Sequence, residues 1–410
     1  MKKKVAIIGA GAAGVFCAIK LGENPNLEIH IYEKGNEPLK KLRISGGGRC
    51  NATHRYISNA QFSKNYPRGG KILKSNFEIF SPQDMYQWLE DRGVQLKTEE
   101  DGRIFPKSDS SQTIINCFEK ELARFHIPIH FSSEIQRIIP KKKGFELYIN
   151  QKLEEFDFVI VATGGAAKER DLEIYKSIDI KTISPVPSLF TFKINEKSLT
   201  ELMGLSIPNV QIRIKQSNFK EIGIVLITHW GLSGPAILKL SAWGAFFLAE
   251  SNYHFQISIN WAGEQNEAKV LQEIEALAEK HKQGKISNYK MEKFPNRFWD
   301  YLLLKSEIDG SKKWSEISKK SINKLSQSIT NSSYDIQGKT TFKDEFVTAG
   351  GIDTEYLNTR SMESKTIQNL YFIGEITNMD GITGGFNFQN AWTSAIVAAE
   401  NINKKASSKN

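Results

Sequence analysis

The feature that most constrains the fold is a glycine motif at the end of the first apolar run. Residues 4–9, KVAIIG, have the composition of a buried parallel strand. They lead into a complete GxGxxG motif, Gly9–Gly14, which opens an amphipathic stretch through Leu21. A second strand-like run, 27–32, ends at Glu33, about 20 residues beyond the motif. Strand, helix and acid stand in the order of a β-α-β dinucleotide-binding unit.

Each glycine of the motif has a mechanical role. Gly9 permits the tight turn, Gly11 lets the backbone approach a pyrophosphate, and Gly14 allows close packing of helix on strand. The N-terminus of the helix offers free N–H groups and a positive dipole end to the phosphates. Glu33 is suited to accept hydrogen bonds from ribose hydroxyls and would repel a 2′-phosphate. The motif alone does not decide between FAD and NAD.

Two later strands point to FAD. The apolar strand at 156–161 runs into Ala-Thr-Gly-Gly at 162–165, the usual mid-chain signature of two-domain flavoproteins. Short strands over 127–149 precede it and predict a β-meander beside the nucleotide domain. A strand near the C-terminus ends at Gly374-Glu375, where FAD enzymes place an acid that binds a ribitol hydroxyl.

The last glycine pair of the chain supports the same cofactor. Gly384-Gly385 precedes a helical run, 390–402. The dipole of that helix would aim at the flavin N1–C2=O edge, where negative charge collects on reduction. No second GxGxxG occurs, so a nicotinamide donor, NAD(P)H, would visit a shared site rather than a domain of its own.

A run of three glycines, Gly46–Gly48, lies between Ser45 and Arg49-Cys50-Asn51. Glycine loses more backbone freedom on folding than any other residue, so the run needs a reason. A floppy linker, a tight turn and a close approach to a ligand are the alternatives. The flanking polar groups favour backbone laid along the cofactor. Replacing Gly47 with Val is therefore expected to abolish FAD retention.

The candidates for cofactor contact come from all of these stretches. They are Gly9, Gly11, Ala12, Ala13, Gly14, Glu33, Lys34, Lys41, Ser45, Gly46, Gly47, Gly48, Arg49, Cys50, Asn51, Ala162, Thr163, Gly164, Gly374, Glu375, Gly385, Phe386, Asn387 and Gln389.

The residues that could act on a substrate are less specific. Arg49 and Arg103 are candidates for an anionic substrate group or the flavin edge, although Arg103 equally suits a surface salt bridge. Cys50 could be a redox thiol or a covalent flavin link, but its glycine neighbours favour packing. His229 could face the flavin; the end of a barrel strand is the favoured alternative. Whether Asn387 and Gln389 contact the flavin amide edge, through side chain or backbone, is left open.

Composition limits which other classes of protein the chain can belong to. The chain has 410 residues, 25% of them charged, and no apolar run long enough for a membrane span. Three cysteines without a CxxC pair predict neither a disulfide framework nor a metal site. These features predict a cytoplasmic protein. The net charge of +9 is spread along the chain, which favours a basic surface and a small acidic ligand over nucleic acid. The oligomeric state is left open.

Six motifs follow one another along nearly the whole chain. They are KLRISGGGRCN (41–51), GRIFPKSD (102–109), ATGG (162–165), THWGLSGPAIL (228–238), TAGGID (348–353) and YFIGEITNMDGITGGFNFQNAW (371–392). With them the chain resembles the bacterial BaiN-like (YhiN-like) flavoproteins, also known as NAD(P)/FAD-dependent oxidoreductases or the aminoacetone oxidase family. One departure is Asn378, which stands where the family often has Asp, leaving Asp380.

The resemblance implies an α/β fold: a discontinuous, glutathione-reductase-like FAD-binding Rossmann domain with two insertions. The FAD domain would comprise 1–188 and 341–410. A small β-barrel would occupy 189–262 with part of 326–340, and a helical domain would occupy 263–325. The stretch 326–339 is polar, which predicts a return linker.

The predicted function is an FAD-dependent oxidoreductase acting on a small organic substrate by hydride transfer through the flavin. NAD(P)H is a candidate donor. An RNA-modifying flavoprotein and a non-catalytic FAD-binding redox sensor are the alternatives.

Overall fold

The computed structural model of the chain describes residues 2–340 and 347–407. The chain divides into two compact units. One comprises Met1–Ser188 with Phe342–Asn410, and the other comprises Leu189–Thr341.

The elements are numbered in chain order. The strands are β1 (Lys3–Ile8), β2 (Leu27–Tyr32), β3 (Thr53–His54), β4 (Leu96–Thr98), β5 (Arg103–Pro106), β6 (Ile129–His130), β7 (Ile135–Pro140), β8 (Phe145–Ile149), β9 (Lys152–Phe156), β10 (Phe158–Val161), β11 (Thr182–Pro187), β12 (Thr191–Ile194), β13 (Ser206–Ile214), β14 (Lys220–Thr228), β15 (Gly231–Ser233), β16 (His254–Asn260), β17 (Ser332–Thr340), β18 (Thr348–Ile352), β19 (Leu357–Asn358), β20 (Glu363–Ser364) and β21 (Leu370–Phe372). The α-helices are α1 (Ala12–Gly22), α2 (Lys40–Gly48), α3 (Asn59–Phe62), α4 (Gly70–Asn76), α5 (Pro82–Glu90), α6 (Ser111–Arg124), α7 (Glu173–Lys176), α8 (Lys197–Thr200), α9 (Pro235–Trp243), α10 (Ala245–Glu250), α11 (Glu267–Lys280), α12 (Asn296–Lys305), α13 (Lys319–Thr330) and α14 (Phe386–Ser407).

A seven-stranded sheet forms the centre of the first unit, in the order β19-β20-β21-β10-β1-β2-β6. Strand β1 lies in parallel between β10 and β2, with Val5 opposite both Phe158 and Ile29. The last four residues of β1 are buried, as expected for a parallel strand covered on both faces. The predicted strand-helix-strand unit is confirmed, and the carboxyl ends of β1 and β10 meet at the glycine motifs.

Helix α14 packs beside α1 against this sheet. It begins at Phe386, directly after the glycine pair and one turn earlier than its hydrophobic pattern alone indicates. Most of the helix is buried, and its buried residues include four polar ones, Gln389, Asn390, Thr393 and Ser394, besides the apolar ones. Among the residues the structure describes, no helix is both long enough and apolar enough to cross a membrane.

The predicted meander is present as a three-stranded antiparallel sheet, β7-β8-β9. Its first turn falls at 141–144, where Gly144 has a φ of 78°. A side chain at Gly144 would meet the carbonyl oxygen of Phe156, so this turn needs glycine for both conformation and space.

The second unit contains a closed barrel, β12-β15-β14-β13-β16-β17. Strand β17 lies within 326–340, part of which the resemblance assigns to the barrel, and closes it; the prediction that 326–339 is a return linker is wrong. Its buried positions alternate at Ser332, Tyr334 and Ile336, and this period of two, rather than hydrophobicity, marks it as a strand. The start of the same stretch completes helix α13.

One continuous core joins the barrel and the helices of the second unit. Trp261, at the end of the barrel strand β16, packs edge-on against Phe298 of α12 with ring centroids 4.7 Å apart. Both side chains are fully buried. The helices of this unit therefore cover the barrel rather than forming a separate core.

Candidate functional site

The first glycine turn lies where β1 and β10 end. Gly9 has a φ of 108°, and a Cβ there would lie 2.5 Å from the carbonyl oxygen of Ala162. A Cβ on Gly14 would overlap the carbonyl oxygen of Gly9. Gly11 differs, because its Cβ would have one neighbour, at 4.0 Å. Gly9 and Gly14 are thus needed for packing within the protein, whereas the space beside Gly11 is open.

Helix α1 starts at Ala12 behind this turn and has no side-chain cap at its N-terminus. Its first N–H groups and its dipole are suited to an anion. Glu33 anchors the turn, since its carboxylate accepts hydrogen bonds from the N–H groups of Ala10 and Gly35, each at 2.8 Å. A carboxylate has further lone pairs for hydroxyl donors. Lys34 beside it is exposed.

The three-glycine run forms a left-handed turn that interrupts α2. Gly46, Gly47 and Gly48 have φ values of 59°, 68° and 83°. A Cβ on Gly46 would lie 3.1 Å from the Phe105 ring, whereas a Cβ on Gly47 or Gly48 would meet no atom within 4 Å. The glycines are therefore required by backbone conformation, and two of them border open space. A hydrogen bond from the N–H of Cys50 to the carbonyl oxygen of Ser45 closes the run, which therefore forms a tight turn.

Cys50 follows this turn and is fully buried at a φ of 60°. Its N–H donates to the carbonyl oxygen of Ser45 at 3.0 Å. Burial raises the pKa of the Cys50 thiol to about 12, so little thiolate forms near neutral pH. Asn51, also buried, accepts a hydrogen bond from the N–H of Ile104 at 3.3 Å. Both residues hold the turn in place.

The two candidate arginines belong to one ion-pair network. Arg49 contacts Glu99 at 2.7 Å, and Arg103 contacts the other oxygen of Glu99 at 2.9 Å. The guanidinium of Arg49 also lies 4.0 Å from the centroid of the Phe105 ring, and Arg103 pairs with Asp101 at 2.7 Å. Strand β5 and its turn position both arginines. Their charges are largely matched by neighbouring carboxylates.

Glu375 connects three of the predicted segments. Its carboxylate pairs with Lys41 at 2.8 Å and accepts a hydrogen bond from the N–H of Thr348 at 3.1 Å. A Cβ on Gly164 would lie 4.0 Å from the same carboxylate. Gly374 packs against Ala13, where a Cβ would come within 2.8 Å of the alanine methyl group. Thr163 is exposed at the end of β10.

The residues that open α14 mainly make internal contacts. Phe386 is buried and stacks on His54 at 4.8 Å. Asn387 bonds both the N–H and the carbonyl of Gly381 at 2.8 Å. Gln389 is buried and accepts a hydrogen bond from the Thr53 hydroxyl at 2.7 Å. The amide groups of Asn387 and Gln389 are thus engaged within the protein.

Sequence patterns missed a buried ion pair near this helix. The Arg68 guanidinium donates hydrogen bonds to both carboxylate oxygens of Asp380, and the Ser188 hydroxyl donates to the same carboxylate at 2.7 Å. Asp380 is 1% exposed. Burial raises the pKa of Asp380, while the hydrogen bonds from Arg68 and Ser188 oppose that shift. Gly69 is the available sequence signal for this close approach, because a side chain there would overlap Met379, the residue before Asp380.

The last two residues singled out in the sequence, His229 and Asn378, both make contacts within the protein. His229 lies in the turn after β14, and its ring lies against Trp230 with centroids 3.9 Å apart. Asn378 accepts a hydrogen bond from the N–H of Gly350 at 3.1 Å, which ties the segment after β21 to TAGGID. An amide suffices for this contact.

The glycine turns around α1 and Glu375 fit a dinucleotide. The open faces at Gly11, Gly47 and Gly48 leave room beside the backbone, and the uncapped N-terminus of α1 suits a pyrophosphate. The acids Glu33 and Glu375 stand at the ends of two parallel strands, β2 and β21, of the same sheet.

Comparisons with known proteins agree with this geometry. The chain is 28% identical to the ribosomal RNA dihydrouridine synthase of Escherichia coli (strain K12), covering 97% of each chain. It is 24% identical to the 3-dehydro-bile acid delta(4,6)-reductase of Clostridium scindens, covering 96% of this chain and 98% of that one. The fold resembles the 3-ketosteroid delta1-dehydrogenase from Sterolibacterium denitrificans, with a TM-score of 0.53 at 10% identity, covering 98% of this chain and 100% of the other.

The family comparison spans almost the entire sequence. Residues 3–401 match the HI0933-like protein Rossmann domain. The resemblance inferred from the six motifs is confirmed. The chain belongs to the HI0933-like Rossmann-domain family, a family of FAD-dependent flavoproteins of the oxidoreductase type.

Proposed function

We propose that this protein is an FAD-dependent reductase that saturates a carbon–carbon double bond conjugated with a carbonyl group, and that its substrate is a uridine base in RNA. The observation that carries the proposal is full-length similarity to two enzymes whose names share this chemistry. Dihydrouridine is uridine with its ring double bond reduced, and a delta(4,6)-reductase saturates double bonds in conjugation with a ketone.

Uridine is preferred over a steroid-like substrate for two reasons. The similarity to the dihydrouridine synthase is the greater, 28% against 24% identity over nearly the same share of the chain. Residues 281–325 carry +6 of the net charge of +9, so the charge is more concentrated than its spread along the chain indicated, and this concentration favours a polyanionic substrate. Charge supports the substrate class but not the chemistry.

FAD, when bound and reduced by NAD(P)H as the proposed donor, would supply the hydride. The first turn of α1 would hold the pyrophosphate, and Glu33 would bind the adenosine ribose. Glu375, oriented by Lys41, would accept a hydrogen bond from the ribitol chain. The hydride would add to the carbon remote from the carbonyl, and a proton from solvent or an acid would add to the adjacent carbon.

The test starts from purified holoprotein, which should be yellow. NADH and NADPH are each mixed with it in a stopped-flow instrument, and the rate of flavin bleaching is recorded. Ribosomal RNA from a strain that lacks this gene is then added, and dihydrouridine is measured by mass spectrometry after nuclease digestion. We expect donor-dependent formation of dihydrouridine. A reduced flavin that reoxidises in air but never with RNA would contradict the proposed substrate.

A small conjugated enone is the second candidate, favoured by the similarity to the bile-acid reductase. Replacing the RNA with a 3-keto-4-ene steroid in the same assay tests it. Reoxidation by the steroid alone would favour this candidate. A flavin that neither NADH nor NADPH reduces would instead indicate a non-catalytic redox sensor.

A further inference from the structure

Two segments of the second unit pair into a short antiparallel ribbon. Residues 282–288 and 310–315, here called the basic ribbon, are joined by a bridge between Lys285 and Lys313. Backbone hydrogen bonds flank the bridge, from the Ile286 N–H to the Lys312 carbonyl at 2.9 Å and from the Trp314 N–H to the Gly284 carbonyl at 3.0 Å. These contacts fix the positions of the lysines that the ribbon carries.

The ribbon has one buried face and one charged face. Ile286 and Trp314 are 0% and 2% exposed, which anchors the ribbon to the core. Lys285 and Lys313 project from the alternate positions and are exposed, directly opposite each other. Like charges facing each other across paired strands destabilise the pair. An anion bound beside the two lysines would offset this repulsion.

Few carboxylates offset the lysines of the ribbon. Lys282 pairs with Glu279 at 2.7 Å, and Lys313 contacts the neutral side chain of Gln283 at 3.2 Å. Within the described part of the chain, Lys285 has no carboxylate within salt-bridge distance. Residues 281–325 carry eleven Lys or Arg against five Asp or Glu, a net charge of +6 out of the +9 of the whole chain.

An exposed aromatic ring directly follows the first segment of the ribbon. Tyr289 is 38% exposed and stacks on His281, with ring centroids 4.0 Å apart and an angle of 12°. A Cβ on Gly284 would overlap the Tyr289 ring, so the glycine lets the ring lie against the ribbon backbone. Tyrosine beside lysines is the combination that binds single-stranded nucleic acid, because the ring stacks a base while the lysines contact phosphates.

We propose that the basic ribbon and Tyr289 form a binding surface for single-stranded RNA on the second unit. This inference rests on the proposed function in which the substrate is a uridine base in RNA. Lys285 and Lys313 contact successive phosphates, and Tyr289 stacks on a base between them. The surface recognises the RNA backbone rather than a base sequence, and so increases the affinity for a large RNA without taking part in the reduction.

The test measures RNA binding without turnover. Full-length holoprotein is titrated into a fluorescein-labelled single-stranded RNA, and anisotropy gives Kd over a range of salt concentrations. Lys285→Gln/Lys313→Gln is compared with Lys142→Gln/Lys143→Gln, which removes the same charge from an exposed turn of the first unit. Loss of two phosphate contacts should weaken binding about twentyfold at about 0.1 M salt and reduce the salt slope by about 1.4.

Tyr289→Ala should weaken binding about fivefold or more with little change in the salt slope, because stacking is not ionic. Equal flavin content and equal Tm confirm that the variants are folded. Affinities of the ribbon variants equal to that of the control pair would overturn the inference. Binding to anionic phospholipid vesicles without binding to RNA would also overturn it.

The outcome is separable from that of the proposed function. Wild-type protein that binds RNA through the ribbon but makes no dihydrouridine retains this surface and refutes the reaction. Protein that makes dihydrouridine while the ribbon variants bind like the control retains the reaction and refutes the surface.

Discussion

Replacing Gly47 with Ala separates the conformational role of the three-glycine turn from its role toward the cofactor. Gly47 has a φ of 68°, and a Cβ there meets no protein atom within 4 Å. Gly93, in the turn after α5, is a matched control with a φ of 80° and equally open space. A left-handed alanine costs about 1–2 kcal/mol at either position.

The two variants should therefore lose similar stability but differ in flavin binding. If the open face of Gly47 borders the cofactor, a methyl group there should weaken FAD binding at least about tenfold, equivalent to about 1.4 kcal/mol. Gly93→Ala should bind FAD like wild type. Gly47→Val should retain none, because a β-branched residue is strained further in this conformation.

Flavin-free protein is prepared for all three variants and for wild type. Urea midpoints give the stability difference, and quenching of FAD fluorescence on titration gives Kd. The reasoning is refuted if Gly47→Ala and Gly93→Ala bind FAD equally well. It is also refuted if Gly47→Ala loses far more stability than Gly93→Ala, since the turn would then have a hidden packing role.

Three further predictions follow from buried groups. Arg68→Leu leaves the Asp380 carboxylate buried without its arginine partner and should destabilise the protein by about 3–5 kcal/mol. The double variant Arg68→Leu/Asp380→Leu should lose less stability, because no unpaired charge remains buried. Stability losses, measured from urea midpoints, that add up across the two substitutions would contradict this coupling. Burial raises the pKa of Cys50 from 9.0 to about 12, so its thiolate fraction falls about a thousandfold. Iodoacetamide should therefore leave Cys50 unlabelled in native protein. Rapid labelling of Cys50, detected by peptide mapping, would be inconsistent with this packing. Burial lowers the pKa of Lys293 from 10.5 to about 8, so the unfolded chain binds more protons between these values and stability should rise with pH across that window. Lys293→Met should remove part of this rise, and an unchanged pH slope of the urea midpoint would show that Lys293 titrates normally.

Continuous local patterns were sufficient to predict the nucleotide-binding half of the fold. The GxGxxG turn, its helix and the strands on either side are encoded within 3–33, where apolar composition and glycine spacing leave little choice of conformation. The same applies to the strands that end at Gly164 and Gly374. Cofactor type followed from combining these segments, each of which is weak evidence alone.

Side-chain partners could not be predicted in the same way. Arg49 was a candidate for binding an anion, but Glu99, fifty residues away, already pairs with it. Gln389 was a candidate for the flavin edge, but its amide is buried against Thr53. In both cases the partner within the protein is distant in sequence, and no local sequence pattern predicts the contact.

The sequence by itself determined that this chain builds a dinucleotide-binding sheet, because hydrophobic runs and glycine turns act over a few residues. Only the tertiary structure decided which strands the closing segment of the barrel pairs with and which distant side chains meet. Strand β17 is polar, so its pairing with β12 and β16, rather than its composition, makes it part of the barrel. Arg68 and Asp380 stand 312 positions apart and meet because the fold brings a glycine turn against the start of α14. Such contacts depend on the packing of whole elements, which no short stretch of sequence specifies.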